Sequence, residues 1–173
     1  MPGSTTISNC QSLGKDARLY YSTSGSCAVP VYVEHVGIIG DLNVGDTDDE
    51  NQVQRRGGAS LGIKTYNPGD SDVSITGTQI VDGNYEGFLY INGARKGGNP
   101  LDFLVLSGPI SEVNTVGYRG KWYNFDRSLS FPAEGEMEQS FSLKPAACSD
   151  CAVRPVKVLV ANTAADWDPV ISS

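Results

Sequence analysis

The sequence is poor in the side chains on which most catalysis and most nucleic-acid binding depend. It has 13 Lys and Arg residues against 20 Asp and Glu, and one His. Because affinity for phosphate backbones comes from Lys and Arg, the net charge of −7 argues against a protein that holds nucleic acid. No run of about 18 apolar residues and no secretory signal occur, so the sequence predicts no membrane-spanning helix, no membrane partner and synthesis in the cytoplasm.

The single histidine leaves little for hydrolase chemistry. His35 follows Val29, Val31 and Val33, which alternate onto one apolar face, and this predicts a structural histidine at the end of a strand. No Gly-x-Ser-x-Gly motif is present to supply a nucleophile. The Gly97-Gly98 stretch lacks the Lys-Ser/Thr ending of a phosphate-binding loop. We therefore expect no enzymatic activity and no cofactor.

A long polar segment from Gly45 to Gly58 carries most of the clustered charge. A calcium loop that began at Asp46 would need Gly at its sixth position and Glu at its twelfth, but Asn51 and Gly57 stand there. The segment is also too long and too polar for a tight turn, so it predicts a long loop or an extended arm. Its candidate contact residues are Asp46, Asp48, Asp49, Glu50, Val53, Arg55 and Arg56.

The four cysteines fit no single kind of site. Cys148 and Cys151 form a C-x-x-C pair, while Cys10 and Cys27 lie far upstream. Four thiolates would complete a tetrahedral zinc site, but a zinc ribbon needs two closely spaced pairs. A redox pair would open a helix, whereas a β-prone run follows this one. Zinc binding, disulfide bonding and free thiols stay open as interpretations.

The remaining composition predicts a mainly β fold. With 20 Gly and 9 Pro the chain is broken often by turns, which excludes long amphipathic helices. One stretch, Val81 to Leu89, has helical spacing, with Asp82 placed to cap its first turn. We predict an antiparallel β-sandwich or barrel with one short flanking α-helix, forming one domain over 1–160 before a polar tail at 161–173. Alternating or β-prone stretches predict strands at 17–21, 29–36, 61–66, 73–80, 101–106, 116–123, 137–144 and 156–160.

Several of these segments resemble the major tail tube proteins of long-tailed, siphovirus-type double-stranded DNA phages. The stretch 14–20 is similar to the opening strand of that family, and the helix around 85–91 stands at the family's helix position. The polar excursion ending in Arg-Arg-Gly-Gly and the closing segments 131–135 and 139–145 complete the resemblance, which covers residues 14–146. The part from Ala147 onward, with its C-x-x-C pair, is an addition to the family pattern.

The resemblance implies a structural virion protein, made in the host cytoplasm and placed in the virion tail. Six copies would form a ring, and rings would stack into a hollow tube through which double-stranded DNA leaves without specific binding. Partners would be further copies and other tail proteins: tape measure, terminator and distal tail. With this family in mind, the segment 45–58 is the predicted ring-stacking loop, and an acidic lumen would repel phosphates.

Two alternatives come from other readings of the same residues. A monomeric β-sandwich module that binds carbohydrate or another ligand would use Tyr118, Trp122 and Tyr123 as a stacking platform, although alternation places Tyr118 and Trp122 in the core. Another tail component or a secretion-tube protein would share the layered β architecture. Oligomeric state separates the first alternative from the tube.

Overall fold

The chain forms a β-sandwich with one helix at its side. A computed structural model describes residues 16–24, 28, 30–53, 65–94, 98–148 and 151–166. The elements in these residues are β1 Arg18–Ser22, β2 Tyr32–Glu34, β3 Ile38–Val53, β4 Thr65–Ile80, α1 Glu86–Gly93, β5 Leu101–Leu106, β6 Val116–Asn124, β7 Leu129–Ser130, β8 Glu138–Pro145, β9 Arg154–Val160 and β10 Thr163–Asp166.

The pairings among the described strands are all antiparallel, and the main path of the sheet runs β2-β1-β5-β6-β8-β4-β3. Strand β6 divides this path into two layers. Its residues 116–119 pair with β9, whereas its residues 122–124 pair with β8. The layers face each other across a core that contains Tyr21 and Phe103 from one layer and Ile75 and Phe141 from the other. The predicted antiparallel sandwich or barrel with one short helix is confirmed.

Gly120 lies where β6 changes partners. Its φ is +153°, and a Cβ at this position would come 2.5 Å from the Cα of Val153. The chain that leads into β9 crosses closely here, since the Lys121 amide donates to the carbonyl of Cys151 at 3.0 Å. A side chain would collide with backbone, so glycine permits the close approach that lets one strand serve both layers.

The segment after residue 147 builds a second core on the opposite face of β1 and β5. Val156 and Val158 are fully buried there against Tyr20, Leu104 and Leu106. Strand β10 covers β9 and lies within the stretch that was predicted to be a polar tail. Its small side chains, Thr163, Ala164 and Ala165, give little alternation of hydrophobicity, so the sequence carried no strong signal for this strand.

Strands β3 and β4 form one long hairpin. They pair from Ile38 with Gln79 to Val53 with Thr65, interrupted by two register shifts. Residues 45–53 are therefore a strand of an extended arm, where a long loop was the other expectation. Backbone pairing, which hydropathy does not report, holds the polar residues extended. Residues 54–58 and the first part of the predicted strand 61–66 lie outside the described residues.

The helix begins later than its sequence pattern predicts. Tyr85 is its N-cap residue, and no side chain caps it. The capping role expected of Asp82 is wrong, because its Oδ1 accepts a hydrogen bond from the Asn84 amide at 2.9 Å and closes the turn before the helix. In the part of the chain that the structure describes, no helix has the length and apolar character needed to cross a membrane.

Strand β2 is shorter than predicted and faces the other way. The expected apolar face of Val31 and Val33 is exposed, at 56% and 38%. Tyr32 turns inward instead and packs against the second core. The aromatic side chain of Tyr32 buries more apolar area than a valine does. Burial of Tyr32 therefore sets the orientation of this short edge strand. Val29 lies outside the described residues.

Candidate assembly surfaces

The β3–β4 hairpin extends beyond the rest of the sheet as an arm. Strand β8 pairs with β4 only between Ile75 and Ile80. From Thr47 paired with Asp72 to Val53 paired with Thr65, the described part of the arm is a ribbon of two strands. At the usual rise per residue of a strand, these seven residues of β3 reach about 20 Å beyond the sandwich. Such an arm can meet a second molecule before the sandwich does.

The arm is acidic along its whole described length. Residues 43–53 and 65–74 contain no Lys or Arg. The six carboxylates in those ranges are Asp46, Asp48, Asp49, Glu50, Asp70 and Asp72. The structure thus brings five of the predicted contact residues, Asp46, Asp48, Asp49, Glu50 and Val53, onto one strand of the arm. Arg55 and Arg56 lie outside the described residues.

Two contacts from the sandwich hold the root of the arm, which we define as the part of the hairpin around Asp46 and Asp72. The hydroxyl of Tyr118 on β6 donates a hydrogen bond to Oδ2 of Asp46. Nζ of Lys144 on β8 lies 3.5 Å from Oδ2 of Asp72. Asp46 and Asp72 occupy adjacent positions of the β3–β4 ladder, since Asp46 pairs with Val73 and Thr47 pairs with Asp72. Neither Tyr118 nor Lys144 was predicted for this role, because contacts over such separations leave no local pattern in the sequence.

The outward face of β4 and β8 is covered by small hydroxyl side chains. On each strand the residues that alternate with the buried ones are polar and at least partly exposed. The hydroxyl residues of this face are Ser74, Thr76, Thr78, Ser140 and Ser142. Lys144 and Asp72 also lie on it and are paired with each other. The face therefore presents many neutral hydrogen-bonding groups and little net charge.

Exposed apolar side chains collect at the borders of the sheet. In the described residues, β2 pairs only with β1 and β3 pairs only with β4, so each offers an open edge. Val31 and Val33 stand at the first edge and Val44, 41% exposed, at the second. The short strand β7 and its flanks carry a further group: Phe125, Leu129, Phe131 and Met137, which are 45–69% exposed. Open edges with apolar neighbours are the surfaces on which strands of other molecules pair.

A buried polar network ties the sandwich end of the β3–β4 hairpin to the helix. His35 Nε2 lies 2.9 Å from Gln79 Oε1, and the Gly37 amide donates to His35 Nδ1 at 3.1 Å. Gln79 Nε2 donates to Gln139 Oε1 at 2.9 Å, which also accepts from Asn92 of α1 at 2.8 Å. These partners assign the hydrogen of the neutral imidazole to Nε2. His35 is buried, as predicted for a structural histidine, and burial lowers its pKa.

A second buried ionisable group lies at the opposite face. Asp102 on β5 is 6% exposed, and burial raises the pKa of its carboxyl to about 6, although the nearby Arg119, Lys121 and Arg154 favour the charged form. The guanidinium of Arg119 lies over the Tyr32 ring at 5.7 Å. Burial also raises the pKa of the Tyr32 hydroxyl, so it is neutral near pH 7. This cluster anchors β2 to the sheet.

Among the described residues, the other candidates predicted from the sequence do not assemble into a site. Trp122 is fully buried, so it cannot serve in a carbohydrate-stacking platform, in agreement with its alternation pattern. Cys151 is buried and disulfide-bonded, and Cys10 and Cys27 lie outside the described residues. Within the ranges that the structure describes, no three His, Cys, Asp or Glu side chains are grouped to hold a metal ion.

Comparison with known proteins identifies the fold. No family model and no curated protein matches the sequence. A subunit of the SPP1 tail tube matches with 18% identity and a TM-score of 0.55, over 76% of this chain and 74% of that one. A chain from the tail of an empty gene transfer agent particle, of C6 symmetry, matches with 15% identity and a TM-score of 0.57, over 79% of this chain and 95% of that one. The chain has a phage tail tube fold.

The tail tube fold is also found beyond phage tails. A chain from the baseplate of the anti-feeding prophage matches with 10% identity and a TM-score of 0.52, over 82% of this chain and 91% of that one. The resemblance noted from the sequence is thus confirmed at the level of the fold. The two matches to tails cover 79% and 76% of this chain, so about a fifth of it or slightly more is unmatched in each comparison.

Proposed function

We propose that this chain is the structural subunit of a tail tube in a virion. Copies made in the host cytoplasm form hexameric rings, and the rings stack into a hollow conduit for double-stranded DNA. The match to the SPP1 tail tube subunit carries this proposal. A structural role without catalysis fits the same match. Tape measure, terminator and distal tail proteins are the partners expected at the ends of such a tube.

Ring formation is supported by the open borders of the sheet. An unpaired strand edge is a template for another strand, and a heterologous contact that closes on itself gives a ring without leaving an edge exposed. The edge of β3 and the apolar group around β7 belong to the same layer, on opposite sides of β4 and β8. Pairing one with the other between neighbouring copies extends that layer around a circle.

Stacking of rings is supported by the arm. It reaches about 20 Å past the sandwich and is the part of the described chain that can bridge to a second ring. The contact candidates on it are those predicted from the sequence: Asp46, Asp48, Asp49, Glu50 and Val53, with Arg55 and Arg56 beyond the described strand.

The hydroxyl face of β4 and β8 is the surface we assign to the lumen. Tight binding of DNA requires unpaired Lys or Arg, because their contacts with phosphates release counterions. This face has Lys144, already paired with Asp72, and otherwise neutral hydroxyls with Glu138. DNA can then pass without being held, which is the property a conduit needs. The face supports a weakly charged lumen more than the acidic one expected from the net charge.

Electron microscopy of concentrated pure protein tests the proposal. We expect hollow tubes of stacked rings. A shortened variant, in which Asn-Gly replaces residues 48–71, joins Thr47 to Asp72 by a two-residue hairpin turn and keeps the root contacts of the arm. We expect it to fold and to form single rings without tubes. Leu89→Ala, on the exposed side of α1, is the matched control and should form normal tubes.

Three results would contradict parts of this assignment. Protein that stays strictly monomeric at high concentration would contradict the proposed tube. Unchanged tubes from the shortened variant would contradict the stacking role of the arm. For the lumen, Thr76→Lys should make assembled tubes retain double-stranded DNA at low salt and release it as salt rises. If retention is unchanged, the hydroxyl face does not line the lumen.

A further inference from the structure

The root contacts of the arm suggest a positioning role for two residues of the sandwich. Residues 65–74 of β4, which lie in the arm, no longer pair with β8. A ribbon of two strands is barely stable by itself in water, and bulges let it bend. Register shifts occur on both sides of the root, between Ile39 and Asn43 and between Asp48 and Glu50. The arm therefore needs an external constraint if it is to keep one direction.

The two contacts hold the arm from opposite faces of the β3–β4 ribbon, at two adjacent residue pairs of the ladder. Asp46 pairs across the ladder with the core-facing Val73, and it meets Tyr118 of β6 on that side. Asp72 is the neighbouring position, and it meets Lys144 on the outward face. Successive residues of a strand point to opposite faces. One partner comes from each layer of the sheet, because Tyr118 lies in the part of β6 that pairs with β9 and Lys144 lies on β8.

The contacts with Tyr118 and Lys144 are made to two of the carboxylates of the arm. The described arm carries six carboxylates and no cation, so its strands repel each other and any surface of the same sign. Tyr118 and Lys144 neutralise or hydrogen-bond two of the six at the point where the arm leaves the sandwich. A hydrogen bond to a charged acceptor is stronger than a neutral one, and an exposed ion pair adds a small increment.

We propose that Tyr118 and Lys144 are positioning residues that fix the direction of the arm before a second copy is met. An arm that is already aligned loses less conformational freedom when it docks, which raises affinity without adding a contact. This inference rests on the proposed function for its consequence in assembly, but the alignment itself is a property of the single subunit. The two are therefore separable by experiment.

Distances in the subunit test the alignment. Spin labels are introduced through a noncanonical amino acid at Asn51 on the arm and at Leu89 on α1, so that the native cysteines stay unmodified. Pulsed electron paramagnetic resonance then reports the distribution of arm-to-body distances in dilute protein. We expect Tyr118→Phe and Lys144→Gln to broaden this distribution, and the double variant to broaden it most. Tyr123→Phe and Lys157→Gln, on β6 and β9, are the matched controls and should leave it unchanged.

Assembly is measured on the same proteins as the critical concentration for tubes. We expect a rise of about threefold for Lys144→Gln and about tenfold for the double variant, in line with the strength of exposed charged contacts. Exchange of the pair, Lys144→Asp with Asp72→Lys, should restore both readouts, whereas either change alone should not. Denaturant unfolding of each variant checks that the sandwich is intact.

The outcomes separate the two proposals. An unchanged distance distribution in the double variant would overturn the positioning role, whether or not tubes form. A broader distribution with an unchanged critical concentration would show that alignment does not serve assembly, and it would overturn the inference as stated. If the unaltered protein forms no tubes, the proposed function fails, while the distances still decide whether Tyr118 and Lys144 hold the arm.

Discussion

The buried histidine network makes a prediction whose size and pH dependence both follow from the structure. In His35→Leu two buried groups lose their hydrogen-bond partner, the side-chain oxygen Oε1 of Gln79 and the backbone amide of Gly37. Each buried polar group left without a partner costs about 1–3 kcal/mol. We therefore expect the free energy of unfolding at pH 7.5 to fall by about 2–6 kcal/mol, a large share of the roughly 5–15 kcal/mol of an ordinary domain.

The pH dependence provides the second readout. Burial lowers the pKa of His35 in the folded chain, so the unfolded chain binds a proton first as pH falls below about 6.5. Where the unfolded state binds more protons, stability falls with falling pH. In the native protein His35 thus removes stability as pH drops through 6.5 towards its folded pKa. In His35→Leu this loss should be absent.

Asp102 contributes with the opposite sign. Burial raises the pKa of its carboxyl from 3.8 to about 6, so between these values the folded chain holds a proton that the unfolded chain has released. Stability from this group therefore rises as pH falls from about 6 to 4. Asp102 and the exposed carboxylates contribute equally to the native protein and to His35→Leu. The difference between the two free energies of unfolding, followed against pH, therefore reports the titration of His35 alone.

The assay is urea unfolding of dilute subunits at pH 5, 6, 7 and 8, followed by the fluorescence of the buried Trp122. Val36→Ala is the matched control, since Val36 is adjacent in sequence and 74% exposed. We expect it to lose less than about 0.5 kcal/mol and to keep the native pH dependence. If His35→Leu also keeps that pH dependence, or loses as little as the control, the network does not stabilise the fold as described.

Three further predictions concern stability. Gly117→Ala would place a Cβ 1.7 Å from the carbonyl oxygen of Val105, so we expect β5 and β6 to separate. The free energy of unfolding, measured with denaturant, should fall by at least about 3 kcal/mol. Gly83→Ala, where a Cβ would meet open space, is the control and should change it little. Val158→Ala should lose about 2 kcal/mol and Leu159→Ala, 56% exposed, about 0.5 or less, because only the first packs in the second core; equal losses would contradict this. Asp102→Asn should stabilise the subunit at pH 8 and weaken the rise in stability between pH 6 and 4; a destabilised variant at pH 8 would show that the carboxylate is needed there.

The body of the sandwich was largely predictable from the sequence because its strands alternate against a core. Leu101 to Leu106 was predicted with its observed bounds and with burial on both faces. The predicted alternation of 137–144 corresponds to β8, whose Gln139, Phe141 and Leu143 are buried. In both strands burial dictates the residue type at each position, so pattern and structure agree.

The arm and its root were only partly predictable because no buried core specifies them. Residues 45–53 are polar and were expected as a loop or an arm, and only the pairing with 65–74 shows that they form a strand. The contacts of Tyr118 with Asp46 and of Lys144 with Asp72 join residues 72 positions apart in the chain in both cases. Distant polar pairs leave no periodic signal, so a single sequence does not reveal them. The direction of Tyr32 was missed for a related reason, since alternation does not say which face is inside.

The charge on the described part of the arm disfavours disordered pairing along a long open edge. An unpaired edge of sixteen residues would template random pairing with other copies if it were apolar. The six carboxylates of the described part of the arm disfavour pairing of that part with the same part of another copy. The apolar groups lie instead at the borders of the sandwich, around β7 and beside β2. Pairing between copies is therefore favoured at the sandwich and disfavoured between arms, which is the arrangement that the proposed rings, joined through their arms, would require.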